Sequence, residues 1–244
     1  MTRDGARGGR APSREEPGGV APDEAPESDS GRLRRIREGY DAWARVYDWF
    51  ARATASVGGV RAACVDALAL APGDTVVEFG CGPGVNLPAL RDAVGPTGRV
   101  VGVDVSPRML GRAARLVDRR GWENVALVEA DAERPPIAAA DGVLATFVTS
   151  LFPDPYAVVS RWCGLADAVV LAAFVPEGDR AANAALRAFV RLNGRLFDAR
   201  TDDPLRRLAD RTAAARRALD DRAAVRERER RLFGTIVVEA GRRG

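Results

Sequence analysis

A glycine-rich segment that begins with an acidic residue is the part of this 244-residue sequence best suited to bind a ligand. It reads EFGCGPG over residues 78–84, after a strand-like run at 75–79 and before a helix-like run at 85–94. Glycine allows positive φ angles and lets a ligand approach the backbone closely. In a doubly wound sheet, this first turn lies at the strand edge where ligands bind. The residues predicted to form the site are Glu78, Gly80, Cys81, Gly82 and Gly84.

Two features of the segment argue against a nicotinamide or flavin dinucleotide as its ligand. The dinucleotide fingerprint would require glycine at positions 80, 82 and 85, and position 85 is valine. The carboxylate of Glu78 would also lie close to the pyrophosphate, and like charges repel. A cationic ligand is therefore the better match.

The composition excludes several classes of chemistry. All 37 basic residues are arginine and the chain has no histidine. Serine–histidine triads, histidine metal clusters, Schiff-base lysines and the P-loop lysine are therefore impossible. The three cysteines, Cys64, Cys81 and Cys163, form no closely spaced pair, so neither a metal site nor a disulfide framework is expected.

Charge and hydropathy indicate where the protein acts. A formal charge of +3 is only mildly basic, and arginine is balanced by acidic residues, so no nucleic-acid partner is expected. No apolar run reaches the roughly 18 residues of a membrane span, and the N-terminus lacks the apolar part of a signal peptide. The sequence predicts a cytoplasmic protein without a transmembrane segment. Peripheral membrane contact and the oligomeric state stay open.

Strand-like and helix-like segments alternate from residue 75 onward. This alternation predicts an α/β fold, a Rossmann-like, doubly wound and mostly parallel sheet. A long helix is expected from Asp179 to about Arg200. Residues 205–231 mix arginine with acidic residues and predict a salt-bridged helix, although 224–233 could instead be a strand. A final strand at 235–240 is expected to pair antiparallel with the segment before it.

The chain divides into three predicted regions. Residues 1–30 hold almost no large apolar side chains and predict a disordered tail. Residues 31–72 predict a helical cap or lid, whose first helix, from Leu33 to Phe50, carries Tyr40 and Tyr47 seven positions apart on one face. Residues 73–244 form the ligand-binding domain.

Four segments together resemble the class I S-adenosylmethionine-dependent methyltransferase family. The first is VVEFGCGPG at 76–84, which looks like that family's first motif. The others are VVGVDVSPRML at 100–110, VEADAERPP at 128–136 and ADGVLATFVTSLFPDP at 140–155. They occur in the family's order. S-adenosylmethionine carries a sulfonium and an ammonium and no phosphate, so it satisfies the preference for a cation.

The resemblance implies a role for the residues of the first two segments. Glu78 and the backbone of residues 80–84 would hold the methionyl part of the cofactor. Asp104 would accept hydrogen bonds from the two ribose hydroxyls, as acidic residues do in dinucleotide sites. Ser106 and Met109 follow as in the family pattern.

The resemblance also implies roles for residues of the last two segments. Asp131 would bind the exocyclic amine of the adenine and Ala132 its ring nitrogen. Phe147, or its backbone, would lie beside the methionine and the transferred methyl group. No catalytic base is assigned, because this chain has no histidine to fill that role.

Several of these residues also have a purely structural interpretation. Glu78 could be a strand-end carboxylate bonded to backbone amides, and Asp104 could cap the helix that begins near Pro107. Asp131 could be an ordinary turn residue before the two prolines. Cys81 could be a small residue that fits the loop, with a reactive thiol as the alternative.

The N-terminal segment gives the only indication of the methyl acceptor. Residues 40–50, YDAWARVYDWF, resemble a segment of the quinone and lipid methyltransferase groups, and RRLFGTIVVEAG at 230–241 resembles their last two strands. A small apolar acceptor is therefore expected, with Tyr40 and Tyr47 shaping its pocket. An RNA or protein methyltransferase, and a non-catalytic module that binds S-adenosylmethionine, are the alternatives.

Overall fold

The computed structural model describes Gly31, residues 59–192 and residues 203–244. The predicted tail at 1–30 lies outside these residues. So does the predicted lid helix from Leu33 to Phe50, with Tyr40 and Tyr47. These assignments, and the division into three regions, remain predictions.

Seven strands form one mixed sheet in the order β3-β2-β1-β4-β5-β7-β6. Strands β1 to β5 run parallel, β7 pairs antiparallel with β5, and β6 pairs antiparallel with β7. This arrangement confirms the predicted Rossmann-like fold. The strands are β1 (Thr75–Phe79), β2 (Arg99–Asp104), β3 (Val125–Glu129), β4 (Ala140–Thr146), β5 (Ala166–Phe174), β6 (Val225–Arg231) and β7 (Ile236–Arg242).

Helices cover both faces of the sheet, and three of them begin with the same local signal. Ser106, Asp154 and Asp203 each accept a backbone N–H of the first turn with their side chain, and a proline follows each within the first two helical positions. None of the described helices is long and apolar enough to cross a bilayer. The helices are α1 (Val60–Leu68), α2 (Leu87–Val94), α3 (Pro107–Arg120), α4 (Pro155–Leu165), α5 (Arg180–Leu192) and α6 (Pro204–Arg222), with a 3₁₀ turn at Thr149–Leu151.

The C-terminal part of the chain differs from the expected single helix over 205–231. Helix α6 ends at Arg222, and residues 225–231 form the edge strand β6, which is the alternative that the sequence left open. The alternation of Arg and Glu along this segment is compatible with a strand whose two faces both meet water. The part of the expected long helix beyond Leu192 lies outside the described residues.

The central strands are apolar on both faces, because each face is covered by helices. Val76 on β1 and Leu144 on β4 belong to the cluster packed with α1 and α2. Val77 and Val143 belong to the cluster packed with α4 and α6. Double-sided burial is typical of parallel sheets. It holds the carboxyl ends of β1, β2 and β4 in fixed positions, where the predicted site residues follow them.

Candidate functional site

The loop at residues 80–84 connects β1 to α2 and requires glycine for two reasons. Gly80, Gly82 and Gly84 all have left-handed backbone conformations, with φ of 70°, 55° and 82°. A Cβ atom on Gly80 would also lie 2.3 Å from Cγ1 of Val148. The loop is therefore packed directly against the segment that follows β4.

We expect Gly80→Ala to destabilise the protein by about 2–4 kcal/mol, from backbone strain and from the clash with Val148. Gly121→Ala is the matched control, because Gly121 has a φ of 63° and nothing lies within 4 Å of its added Cβ. The control should lose only the strain contribution of about 1–2 kcal/mol. Urea unfolding measures both variants, and equal losses would show that the contact with Val148 carries no energy.

The side chain of Glu78 is fully buried at the end of β1, with 1% of its surface exposed. Its Oε1 accepts a short hydrogen bond from Nδ2 of Asn86, and that nitrogen also lies 3.3 Å from Oγ1 of Thr146. Its Oε2 is buried and has no hydrogen-bond partner among the residues that the structure describes. The partner of Glu78 is thus a side chain, and the alternative in which backbone amides bind this carboxylate is wrong.

The electrostatics of Glu78 favour a positively charged ligand. Its pKa is raised to about 8, mainly by burial and to a smaller extent by the neighbouring Asp104. The hydrogen bond from Asn86 and the charge of Arg61 oppose these effects only in part. A buried carboxyl group with an unpartnered oxygen is costly. A cation placed against Oε2 would remove that cost.

Asp104 ties the glycine loop to the end of β2. Its Oδ2 accepts the N–H of Gly82 at 2.8 Å, and its Oδ1 accepts the N–H of Ser106 at 2.8 Å. Burial raises its pKa, and these backbone hydrogen bonds oppose the shift. A carboxylate can accept about four hydrogen bonds, so Asp104 retains capacity for a ligand hydroxyl.

Asp104 is not the cap of helix α3, which is the alternative that the sequence offered. The N-cap is Ser106, whose Oγ accepts the N–H of Met109 at 3.3 Å. Ser106 and Met109 are both buried. The presence of these two residues is therefore explained by the cap and the packing of the first turn of α3. Their contact with a cofactor stays a prediction.

Asp131 and Ala132 follow β3, next to the end of β2. Oδ1 of Asp131 accepts the N–H of Glu133 at 3.0 Å, as expected of a turn residue. Ala132 is buried, and its carbonyl oxygen accepts the indole N–H of Trp162 at 2.9 Å. The two residues lie at the carboxyl ends of the parallel strands, where the site is predicted. Their roles in binding adenine stay predictions.

Phe147 follows β4 with an unusual backbone conformation. Its φ is 62°, which is rare for a bulky residue, and its N–H donates to the carbonyl of Ala172 at 2.7 Å. Its ring stacks on Phe174 with centroids 4.6 Å apart, and Phe174 lies 5.6 Å from the ring of Phe189. Aromatic side chains thus flank the loop at the end of β4.

Cys81 is buried inside the loop, and burial raises the pKa of its thiol well above the ordinary value. The thiol therefore stays neutral near pH 7, which argues against a reactive cysteine. Its Sγ lies close to the backbone of β2, 3.0 Å from where a Cβ on Gly102 would be. The small-residue interpretation fits this packing.

The sequence interpretation missed three residues of this site. Asn86 binds Glu78 and Thr146, and Nη1 of Arg61 donates a short hydrogen bond to Oδ1 of Asn86. A signal for Asn86 was present, since it is a polar residue between the glycine loop and an apolar helix. Thr146 was a polar residue at the end of an apolar strand. Nothing local to Arg61 indicated its contact.

Comparison with known proteins identifies the domain. Residues 76–165 match a family model described as a methyltransferase domain. The chain is 28% identical over 141 residues to an aklanonic acid methyltransferase of Streptomyces sp. strain C5, covering 57% of this chain and 63% of that protein. It is 35% identical over 96 residues to a nocamycin O-methyltransferase of Saccharothrix syringae, covering 38% of this chain and 34% of that protein. The chain therefore spans less than two thirds of either relative.

The fold is also shared with a methyltransferase of known structure. The magnesium protoporphyrin IX methyltransferase of Synechocystis PCC 6803, solved with bound SAH, superimposes with a TM-score of 0.61 at 19% identity, covering 87% of this chain and all of that one. The family match begins at β1 and ends with α4, so it contains the glycine loop, Asp104, Asp131 and Phe147. Residues 76–165 therefore match a methyltransferase domain, and the described chain shares the fold of a solved methyltransferase.

Proposed function

We propose that this protein transfers the methyl group of S-adenosylmethionine to a small apolar molecule, quinone-like or lipid-like in character. The observation that carries the cofactor half of the proposal is Glu78, which lies beside a three-glycine loop. It is a buried carboxyl group, and its Oε2 has no partner within the described part of the chain. A ligand with an ammonium and a sulfonium supplies the missing positive charge. A phosphate-bearing dinucleotide would add a second negative charge to the same place.

The residues of this chain have separate tasks in the proposed reaction. When bound, S-adenosylmethionine supplies a methyl group on a positively charged sulfur, already activated for transfer to a nucleophile. Glu78 and the loop amides would hold the methionyl part, while Asp104 would fix the ribose and so the direction of the methyl group. Orientation of this kind can supply much of the rate without a dedicated base when the acceptor is already nucleophilic.

The apolar character of the acceptor is supported by the side chains beyond β4. Phe147, Phe174 and Phe189 form a connected aromatic group at the carboxyl ends of β4 and β5. Apolar walls with few polar groups are typical of small-molecule pockets. The two relatives named above are, by their names, methyltransferases of aklanonic acid and of nocamycin, which agrees with a small organic acceptor.

Calorimetry tests the cofactor half of the proposal. We expect the purified protein to bind S-adenosylmethionine and its demethylated product, and to show no heat with NAD or FAD. Gly80→Ala provides a variant with a disturbed loop and should bind more weakly. Binding of a nicotinamide cofactor, without a response to either sulfur cofactor, would contradict the proposal.

An extract assay with labelled methyl donor tests the acceptor half. Products are separated into lipid, small polar, RNA and protein pools, and we expect the label in the lipid or small-molecule pools. Label in the RNA or protein pool would instead support the corresponding alternative. Cofactor binding with no labelled pool would favour a non-catalytic module.

A further inference from the structure

Arg61 reaches the cofactor site from a helix outside the matched domain. It lies near the start of α1 with a half-buried side chain, and its Nη1 donates to Oδ1 of Asn86. Helix α1 packs against β4, β5, β7 and α2. At its other end, Nη2 of Arg242 donates to the carbonyl of Ala67 at 2.6 Å. The position of Arg61 is therefore fixed by the sheet on which α1 rests.

The hydrogen-bonding capacity of the two side chains determines how Asn86 must point. A guanidinium has five N–H donors and no acceptor, whereas the asparagine amide has an oxygen on one side and an NH₂ group on the other. Arg61 can therefore form a hydrogen bond with the Asn86 amide only through Oδ1 of Asn86. The NH₂ group is then directed at Glu78 and Thr146, as observed.

We propose that Arg61 is a positioning residue of the cofactor site, which sets the orientation of the Asn86 amide so that Glu78 presents Oε2 to the cationic part of the ligand. With the amide reversed, Oδ1 of Asn86 would face Oε1 of Glu78. Two oxygens in contact repel each other unless one carries a proton. Glu78 would then stay neutral and bind a cation poorly.

Among the described residues, Arg61 and Asn86 are the groups that favour the ionised form of Glu78. Asp104 on β2 raises the Glu78 pKa. Burial raises the pKa of the Cys64 thiol on α1 to about 12 and that of the Cys81 thiol in the loop well above its ordinary value. Both thiols are therefore neutral near pH 7 and add no charge.

The decisive measurement is the titration of Glu78 in the cofactor-free protein. Carbon-13 in the side-chain carboxyl of glutamate reports each carboxyl by NMR, and the Glu78 signal is the one lost in Glu78→Gln. Arg61→Lys keeps the positive charge but shortens the side chain and removes the planar fork. We expect it to raise the Glu78 pKa, and we expect no further rise when Asn86→Ala is already present.

Binding of S-adenosylmethionine provides a second readout and is measured between pH 6.5 and 7.5. An α-amino group has a pKa of about 7.7–8.0, so most of the cofactor's own α-amino group carries a proton in this range. Arg61→Lys should weaken binding about three- to tenfold in the wild-type background and leave it unchanged in the Asn86→Ala background. Arg91→Lys, on α2, is the matched control and should change neither quantity. Should Arg61→Lys not fold, Arg61→Gln completes the same cycle.

Two results would overturn the inference. In one, Arg61→Lys leaves the Glu78 pKa unchanged. In the other, Arg61→Lys changes the Glu78 pKa equally with and without Asn86, which would mean that Arg61 does not act through Asn86. The inference rests on the cofactor half of the proposed function. A wild-type protein that binds no S-adenosylmethionine would contradict that function, while the titration of the cofactor-free protein would still decide the role of Arg61.

Discussion

Glu78→Gln is expected to weaken S-adenosylmethionine binding about ten- to a hundredfold, because a hydrogen bond to a charged group is worth about 1.5–3 kcal/mol. Gln has nearly the shape of Glu, and its oxygen can still accept the hydrogen bond from Asn86. The variant therefore removes the charge and little else. Calorimetry at pH 7.5 measures the loss, and an unchanged affinity would exclude Glu78 from the site.

The same substitution should make the cofactor-free protein more stable in mildly alkaline solution. Burial holds the Glu78 pKa at about 8 in the folded protein, against an ordinary value of 4.5. Folding therefore favours the protonated form. The contribution of Glu78 to stability is complete below about pH 4.5 and is lost as the pH rises through 8. Gln cannot ionise, so the variant avoids that loss, which is on the order of several kcal/mol.

Thermal unfolding of the cofactor-free proteins at pH 5 and pH 8.5 tests this prediction. Wild type and Glu78→Gln should differ little at pH 5, and the variant should unfold at the higher temperature at pH 8.5. Glu123→Gln, which changes an exposed carboxyl group in the loop before β3, is the control and should follow wild type. A variant less stable than wild type at pH 8.5 would mean that Glu78 is ionised and well solvated when the protein is folded.

Asp104→Ala should have the second large effect, and it should act on both binding and stability. The substitution removes the proposed acceptor for the ribose hydroxyls, and we expect cofactor affinity to fall by about 1–3 kcal/mol. It also leaves the N–H of the buried Gly82 without its acceptor, which should cost a similar amount of stability, about 1–3 kcal/mol. The fold should survive.

Asp104→Asn separates these two effects. Asparagine offers one acceptor oxygen in place of two, so it can serve Gly82 or Ser106 but not both, and we expect values between those of wild type and Asp104→Ala. Urea unfolding gives the stability and calorimetry gives the affinity. If Asp104→Ala lowers stability but leaves affinity unchanged, Asp104 is a loop anchor without a role in binding.

The sequence predicted the parts of the molecule whose signal is local. The run at 75–79 and the glycines after it predict a strand and a turn by themselves, and the structure has both. Asn86 and Arg61 could not be found in this way. Their importance depends on the contact of Arg61 with Asn86, which lies 25 residues away in sequence and binds Glu78. No periodicity reports such a contact.

The end of helix α6 shows a second limit of sequence interpretation. Residues 205–231 contain arginine and acidic residues throughout, so hydrophobic periodicity gives no boundary between helix and strand. The boundary is set by tertiary contacts. Arg228 on β6 lies 2.9 Å from Glu177 and 3.1 Å from Glu239, and Arg230 lies 2.8 Å from Glu177. Glu177 comes from the segment after β5 and Glu239 from β7, so both partners lie outside residues 205–231.

Strand β6 lies at the edge of the described sheet and carries its charges in alternation. Arg226, Arg228 and Arg230 share one face, and Glu227, Glu229 and the terminal Arg231 share the other. If a second molecule added its own β6 there through a two-fold axis, residues on the same face would stand opposite one another. With the axis at Arg228, Arg226 would meet Arg230 and Glu227 would meet Glu229, and like charges directly opposite are destabilising. The pattern therefore protects an otherwise open edge against uncontrolled sheet growth between copies of the protein.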